Sequence, residues 1–219
     1  IPQTAGAVLT TDIDLENRLW TPIGTYNESV IPEVNHAYKG TFDGQGHVIK
    51  NLNVHVTDGR NAGLFGRVDG GTLKNFGVVN AAVVSDPVEG KLLRAGIVAG
   101  EIVKGTVKNV FTAGTLSVTS ESAQKGGIAA ACADSTLSGC FTTFGTLTDN
   151  TGAVPATVQN CYYLADTPNS ASCGTNLTAA QFAGGEAAYL LNGKKNAGIW
   201  KQTLGTDALP GFEGEDVYY

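Results

Sequence analysis

Apolar residues in this chain recur at every second position, the period of a strand with one buried face. Leu52, Val54 and Val56 alternate with Asn53 and His55, and Leu116 and Val118 alternate with Thr115, Ser117 and Thr119. A longer repeat overlies this alternation. Five segments follow one pattern of an apolar residue, a polar residue, Asn and a second apolar residue: Ile49-Lys50-Asn51-Leu52, Leu73-Lys74-Asn75-Phe76, Val107-Lys108-Asn109-Val110, Leu137-Ser138-Gly139-Cys140 and Val158-Gln159-Asn160-Cys161. The fourth has Gly139 in place of Asn. Their first positions lie 24, 34, 30 and 21 residues apart, and Thr72, Thr106, Thr136 and Thr157 precede four of them. Upstream of three copies run Gly63-Leu64-Phe65-Gly66, Gly96-Ile97-Val98-Ala99-Gly100 and Gly126-Gly127-Ile128-Ala129-Ala130.

Short strands of this kind cannot bury an apolar face alone and must stack on their neighbours. Copies of unequal length stay in register only if their extra residues leave as loops. A parallel β-helix permits this, whereas a propeller blade needs roughly 40–50 residues per repeat. Asn is suited to the corners, because it tolerates left-handed backbone better than other non-Gly residues. Asn51, Asn75, Asn109 and Asn160 are therefore expected to form a structural turn ladder, bonded up the column. Lys50, Lys74 and Lys108 would then form an outward column about 4.8 Å apart. Such a column either grips an anionic glycan or keeps the sheet face soluble.

The pattern stops after Leu164. Residues 1–165 are assigned to roughly six coils, with Leu9 to Trp20 capping the solenoid or forming its first coil, and residues 166–219 to a small helical or irregular C-terminal cap. Residues 166–170 form a turn-rich connection. Thr178 and Gln181 match a capping box that opens a short helix, Gly184-Gly185 break it, and Glu186 to Asn192 form a second, ending at Gly193. Phe182, Tyr189 and Leu190 are expected to face the open end of the solenoid.

Composition narrows the function classes. The chain has 219 residues, 29 of them Gly, a formal charge of −6, 42% hydrophobic residues and 16% charged residues. Average usage is about 7% Gly and 25% charged, so this is a turn-rich chain with enough apolar content to fold. Dispersed basic residues in an acidic chain leave no footprint for nucleic acid, and no run approaches the roughly 18 apolar residues of a membrane span. Ile1 stands where an initiator Met is expected, so the numbering is expected to start after a removed signal or at an internal boundary.

The glycine segments joined to Gly71-Thr72-Leu73-Lys74-Asn75-Phe76, and the matching stretch from Gly96 to Val110, resemble the GLUG motif of bacterial adhesin-like cell-surface proteins. The stretches Leu9 to Leu15, Trp20 to Gly24 and Tyr38 to Ile49 are similar to the lead-in of such repeat regions, and Thr178 to Asp207 to the segment that closes them. The resemblance covers most of the chain. It implies an all-β, right-handed parallel β-helix and an extracellular or bacterial cell-surface location. It carries over no catalytic residue, because the motif is not catalytic.

The remaining chemistry is sparse. Cys140 and Cys161 share the repeat position of Phe76 and Val110, and Cys132 aligns with Val68 and Ile102, so all three are expected inside the coil as buried thiols. Cys161 with Cys173 is the pair that a bridge would join. No Cys or His pair has zinc-site spacing, and no metal or cofactor is expected. His55 should face solvent. Asp12 and Asp14 share an outward face, and Asp43, Asp58 and Asp69 sit near turns. Tyr26, Tyr38, Phe111, Tyr162 and Tyr163 are candidates for stacking on sugars. The sequence thus points to a non-catalytic adhesin-like binding or spacer module of a larger surface protein, its partner a glycan or a host surface protein, with oligomeric state left open. The alternatives are a β-helix polysaccharide lyase or hydrolase, and the support region of a surface peptidase.

Overall fold

The computed structural model describes residues 3–27, 34–118, 123–149, 155–167 and 173–218. Residues 168–170 of the turn-rich connection lie outside the described residues, as does the side chain of Tyr26. The chain winds into a parallel β-helix. One face is an eleven-stranded sheet whose main path runs from Ala7–Val8 through Thr41–Lys50, Thr72–Ser85, Thr106–Val118, Phe141–Thr142 and Tyr162–Leu164 to Thr175–Leu177. A second face stacks Phe65–Asp69, Ala99–Val103 and Ala129–Ala133, and a third pairs Arg94–Gly96 with Gln124–Gly126. Pairing within all three faces is parallel. Residues 41–69, 72–103 and 106–133 make full turns, with partial turns below and above. Leu9 to Trp20 belong to the lowest of these, where Ile13 and Asp14 pair with Ile49 and Lys50.

Like stacks on like because the period-two alternation is repeated in register. Phe42, Leu73, Val107, Leu137 and Val158 form one inward column, and the first four are buried. Val68, Ile102 and Cys132 form another, all nearly inaccessible to solvent. The corners turn through left-handed residues: φ is +59° at Asn51, +57° at Asn75, +53° at Asn80, +54° at Asn109, +61° at Gly139 and +49° at Asn160.

The register corrects the position of the first repeat copy. Lys108 pairs with Lys74, but Lys74 pairs with Asp43, and Lys50 pairs with Val79. Asn75, Asn109, Gly139 and Asn160 share one corner, while Asn51 stands at the next corner round the coil, level with Asn80. The lowest member of the first corner is Thr41-Phe42-Asp43, whose turn is made by Gly44-Gln45-Gly46 instead of one Asn. The outward column is therefore Asp43, Lys74, Lys108, Ser138 and Gln159, and the three lysines do not stand in line.

None of the four cysteines is in a disulfide, and Cys132, Cys140 and Cys161 are buried. Cys140 and Cys161 lie side by side in the stack, with the Cys140 N–H donating to Cys161 Sγ at 3.4 Å. Both thiols turn to carbonyls of their own coil, Cys140 to Ser138 and Cys161 to Gln159. Burial pushes the Cys132 thiol up to about 12, which makes it unreactive.

Beyond Leu177 the chain leaves the sheet. Thr178 caps the helix Ala179–Ala183 through a capping box with Gln181, and Gly185, at φ +86°, opens the helix Glu186–Leu191. Phe182 is fully buried, whereas Tyr189 and Leu190 are only half-buried. The segment packs against the side of the solenoid. Phe182, Ala187, Ala188, Leu191, Trp200 and Val217 form a second core with Phe111, Phe141 and Tyr162, three stacked outward residues of the main sheet. The tail is thus a lateral strap running back to the first coils, where Phe212 meets Gly46.

Candidate functional site

Two arrangements on the outward face follow from the register. The first is a hydrogen-bonded ladder. Asn109 Nδ2 donates to Asn75 Oδ1 at 3.0 Å, and Asn75 Nδ2 donates to Asp43 Oδ1 at 3.1 Å. Asn51 instead donates to Asp14 Oδ1 at 2.8 Å. Gly139 interrupts the ladder at the point where the strap crosses it: a Cβ there would stand 2.7 Å from Asn109 Oδ1 and 3.8 Å from Trp200 Nε1. Left-handed backbone costs a residue such as Ala roughly 1–2 kcal/mol, and one hydrogen bond contributes about 1 kcal/mol. Asn109→Ala should therefore lose roughly 2–3 kcal/mol in urea unfolding, and Asn109→Gly about half as much. Equal losses for the two variants would show that the conformational argument is wrong.

The second arrangement is a set of ion pairs. Lys74 Nζ lies 3.1 Å from Asp43, and Lys50 Nζ lies 2.9 Å from Asp12. Lys108 is exposed, and no ion pair engages it among the described residues. A column of three unpaired ammonium groups is absent, so the anionic-glycan grip expected from Lys50, Lys74 and Lys108 loses its geometry. The Lys50 ammonium and the Val48 N–H hold the Asp12 carboxyl below the usual range. For Asp43, partial burial pushes upward, but the Gln45 N–H, Lys74 and Asn75 outweigh it and the net shift is downward. His47 Nδ1 lies 3.4 Å from Asp12. His55 faces solvent beside Asp86, at 3.0 Å.

The strap creates the concavities that sequence reasoning did not anticipate. A cleft of about 490 Å³ lies between the Gly44-Gln45-Gly46 turn and the tail, lined by Asp43, Gln45, His47, Asn75, Ile199, Lys201, Phe212 and Glu213. A second, of about 470 Å³, is lined by Asp12, Val48, Phe111 and residues 206–213. Gly46, Phe212 and Glu213 line both, so Phe212 stands between two adjoining clefts. Its ring stacks on Trp200 at a centroid distance of 4.8 Å and an angle of 28°, which fixes its orientation. Lys201, on the same rim, is paired with Asp216. A third cleft, at Trp20, His55, Asp58 and Arg60, measures only about 210 Å³.

Among the described side chains, the aromatic candidates from the sequence are engaged in packing, and of these Phe111 also borders the second cleft. Tyr38 is buried and donates its hydroxyl to Ala5 O at 2.9 Å. Phe111 and Tyr162 lie under the strap, and Tyr163 is buried. The seam residues Gln45, Phe212 and Glu213 were not singled out by sequence; the Gly-flanked Gln45 turn was the available signal.

No protein-family model matches the chain. A stretch of 84 residues, 38% of the chain, is 37% identical to part of Halomucin from Haloquadratum walsbyi, and spans about 1% of that protein's length. A crystal structure of a Bacteroides ovatus protein described as a candidate immunoglobulin A1 protease aligns with a TM-score of 0.45 at 17% identity, over 96% of this chain and 86% of that one.

Proposed function

We propose that this chain is a non-catalytic, surface-displayed binding module, an adhesin-like part of a larger protein, which engages its partner at the seam between solenoid and strap. The observation that carries this reading is the pair of clefts meeting at Phe212, of about 490 and 470 Å³. Both fall in the range of roughly 300–1,000 Å³ typical of ligand sites. Their walls belong to a rigid stacked sheet and a strap anchored by a second core, so little ordering is needed on binding.

The state of the carboxylates supports binding over catalysis. A general acid or base working near neutral pH needs a carboxyl raised towards that pH. Asp12 and Asp43 are shifted the other way by their hydrogen bonds and lysine partners, which suits steady hydrogen-bond acceptance. The stretch shared with a protein named Halomucin is in keeping with a surface setting, where that name belongs.

The test is adhesion. The whole chain, immobilised on a sensor, should bind saturably to at least one member of a panel of purified glycans and host surface proteins. A flat response across the whole panel would overturn the binding reading in favour of a passive spacer. Reproducible product release from a polysaccharide panel, lost on mutating Asp12 or Asp43, would overturn the non-catalytic one.

A further inference from the structure

Resting on the binding reading above, we infer that the seam is a saccharide site for uncharged sugars that turns anionic glycans away. Its lining contains the acceptors Asp12, Asp43, Asp207 and Glu213 against Lys201 and His47. Lys201 is neutralised by Asp216, and the nearby Lys50 and Lys74 are paired with Asp12 and Asp43. These pairs cancel Asp12 and Asp43 along with their lysines, so the net negative charge of the seam comes from Asp207 and Glu213, on a chain of charge −6. A uronate or sulfate entering the seam would meet like charge and lose its own hydration without a cationic partner.

A sugar ring offers the complementary chemistry. Its hydroxyls donate to carboxylate and amide oxygens and accept from amide and imidazole N–H groups. Planar groups of both kinds line the first cleft in Gln45, His47, Asn75 and Glu213. The C–H face of the ring needs an apolar wall, which Phe212 and the 44% exposed Ile199 supply. Gly46 makes the arrangement possible. It turns at φ +89°, and a Cβ there would stand 3.4 Å from Phe212 Cβ, so only glycine brings the turn against the strap without strain. Because Phe212 and Glu213 line both clefts, an oligosaccharide lying across Phe212 reaches polar groups on either side.

The experiment titrates the full chain by calorimetry with neutral oligosaccharides (cellotriose, mannotriose and tri-N-acetylchitotriose) and with trigalacturonate and a heparin hexasaccharide. At least one neutral probe should bind and both anionic probes should stay silent. Gln45→Ala and Glu213→Ala, both exposed positions, should weaken neutral binding tenfold or more without changing the melting temperature. Glu213→Lys should admit an anionic probe. Preferred binding of an anionic probe by the parent chain, or neutral binding indifferent to both alanine variants, overturns the saccharide site while leaving the binding reading intact. Silence towards all sugars in a chain that still adheres to host proteins does the same. Silence in both assays fells the binding reading itself.

Discussion

Trp200→Ala is expected to cost roughly 3–5 kcal/mol, the usual range for removing a buried aromatic side chain. Trp200 is fully buried and stands between the two halves of the second core. Its ring centroid lies 6.0 Å from Phe111, 5.4 Å from Phe141 and 4.8 Å from Phe212, so it touches both the sheet and the strap. Its backbone is pinned as well, with its N–H donating to Asn192 Oδ1 and its carbonyl accepting from Asn192 Nδ2. Net stabilities of single domains are about 5–15 kcal/mol, so the loss would be a large part of the whole. The strap should yield first, because its attachment is this aromatic cluster and not sheet pairing. Limited proteolysis of Trp200→Ala should therefore cut within residues 194–218 before the solenoid opens. The indole N–H has no acceptor among the described residues, so Trp200→Phe should recover most of the loss in a urea melt. A loss below about 1 kcal/mol for the alanine variant would mean that the strap is held elsewhere.

The strap also shows what the sequence could and could not disclose. The stacked strands, the left-handed corners and the inward place of Cys132, Cys140 and Cys161 follow from period-two alternation and the repeated Asn, which are local signals. The phase of the first coil was harder, because each turn has more than one such corner. Val79-Asn80-Ala81 and Ile49-Lys50-Asn51-Leu52 mark the second corner and mimic the first. Two signals distinguished them. Thr41 precedes Phe42 as Thr72 precedes Leu73, and Thr41 lies 31 residues before Thr72, close to the 34 and 30 that follow. Spacing alone could not decide, because the last step of the same column, Thr136 to Thr157, is only 21 residues long, so the preceding Thr41 was the sharper signal.

The lateral course of the tail depends on contacts between residues far apart in sequence, and the chain gave only an indirect hint of it. Phe111, Phe141 and Tyr162 occupy one outward position in three successive coils, and a column of exposed aromatics requires cover. The seam was the least legible feature. Its clefts exist only because Phe212 returns across Gly46, a meeting that no local periodicity encodes.

Gly77 carries the other large effect, and its sign separates two explanations. It pairs with Val48 below and Phe111 above in the outward aromatic column. Its backbone is not left-handed, so nothing in its φ requires glycine. If conformational entropy alone mattered, Gly77→Ala would stabilise a strand interior by roughly 0.5–1 kcal/mol. The packing demands the reverse. A Cβ at this position would stand 2.3 Å from Cε1 and Cζ of Phe111, whose ring lies over the glycine. That ring cannot easily move aside, because it stacks on Phe141 at 5.2 Å and 11° and abuts Trp200. Overpacking of this kind costs about 1–3 kcal/mol and more as the side chain grows. Gly77→Ala should therefore destabilise, and Gly77→Val should lose roughly 3 kcal/mol or more. The two residues should also be coupled. Phe111→Ala alone leaves a cavity under the strap, but combined with Gly77→Val it opens the space that valine needs. A double-mutant cycle should then show the pair less unstable than the sum by at least about 1 kcal/mol. Strict additivity, or a stabilising Gly77→Ala, would show that the Phe111 ring is free to leave and that the strap is not seated on this column.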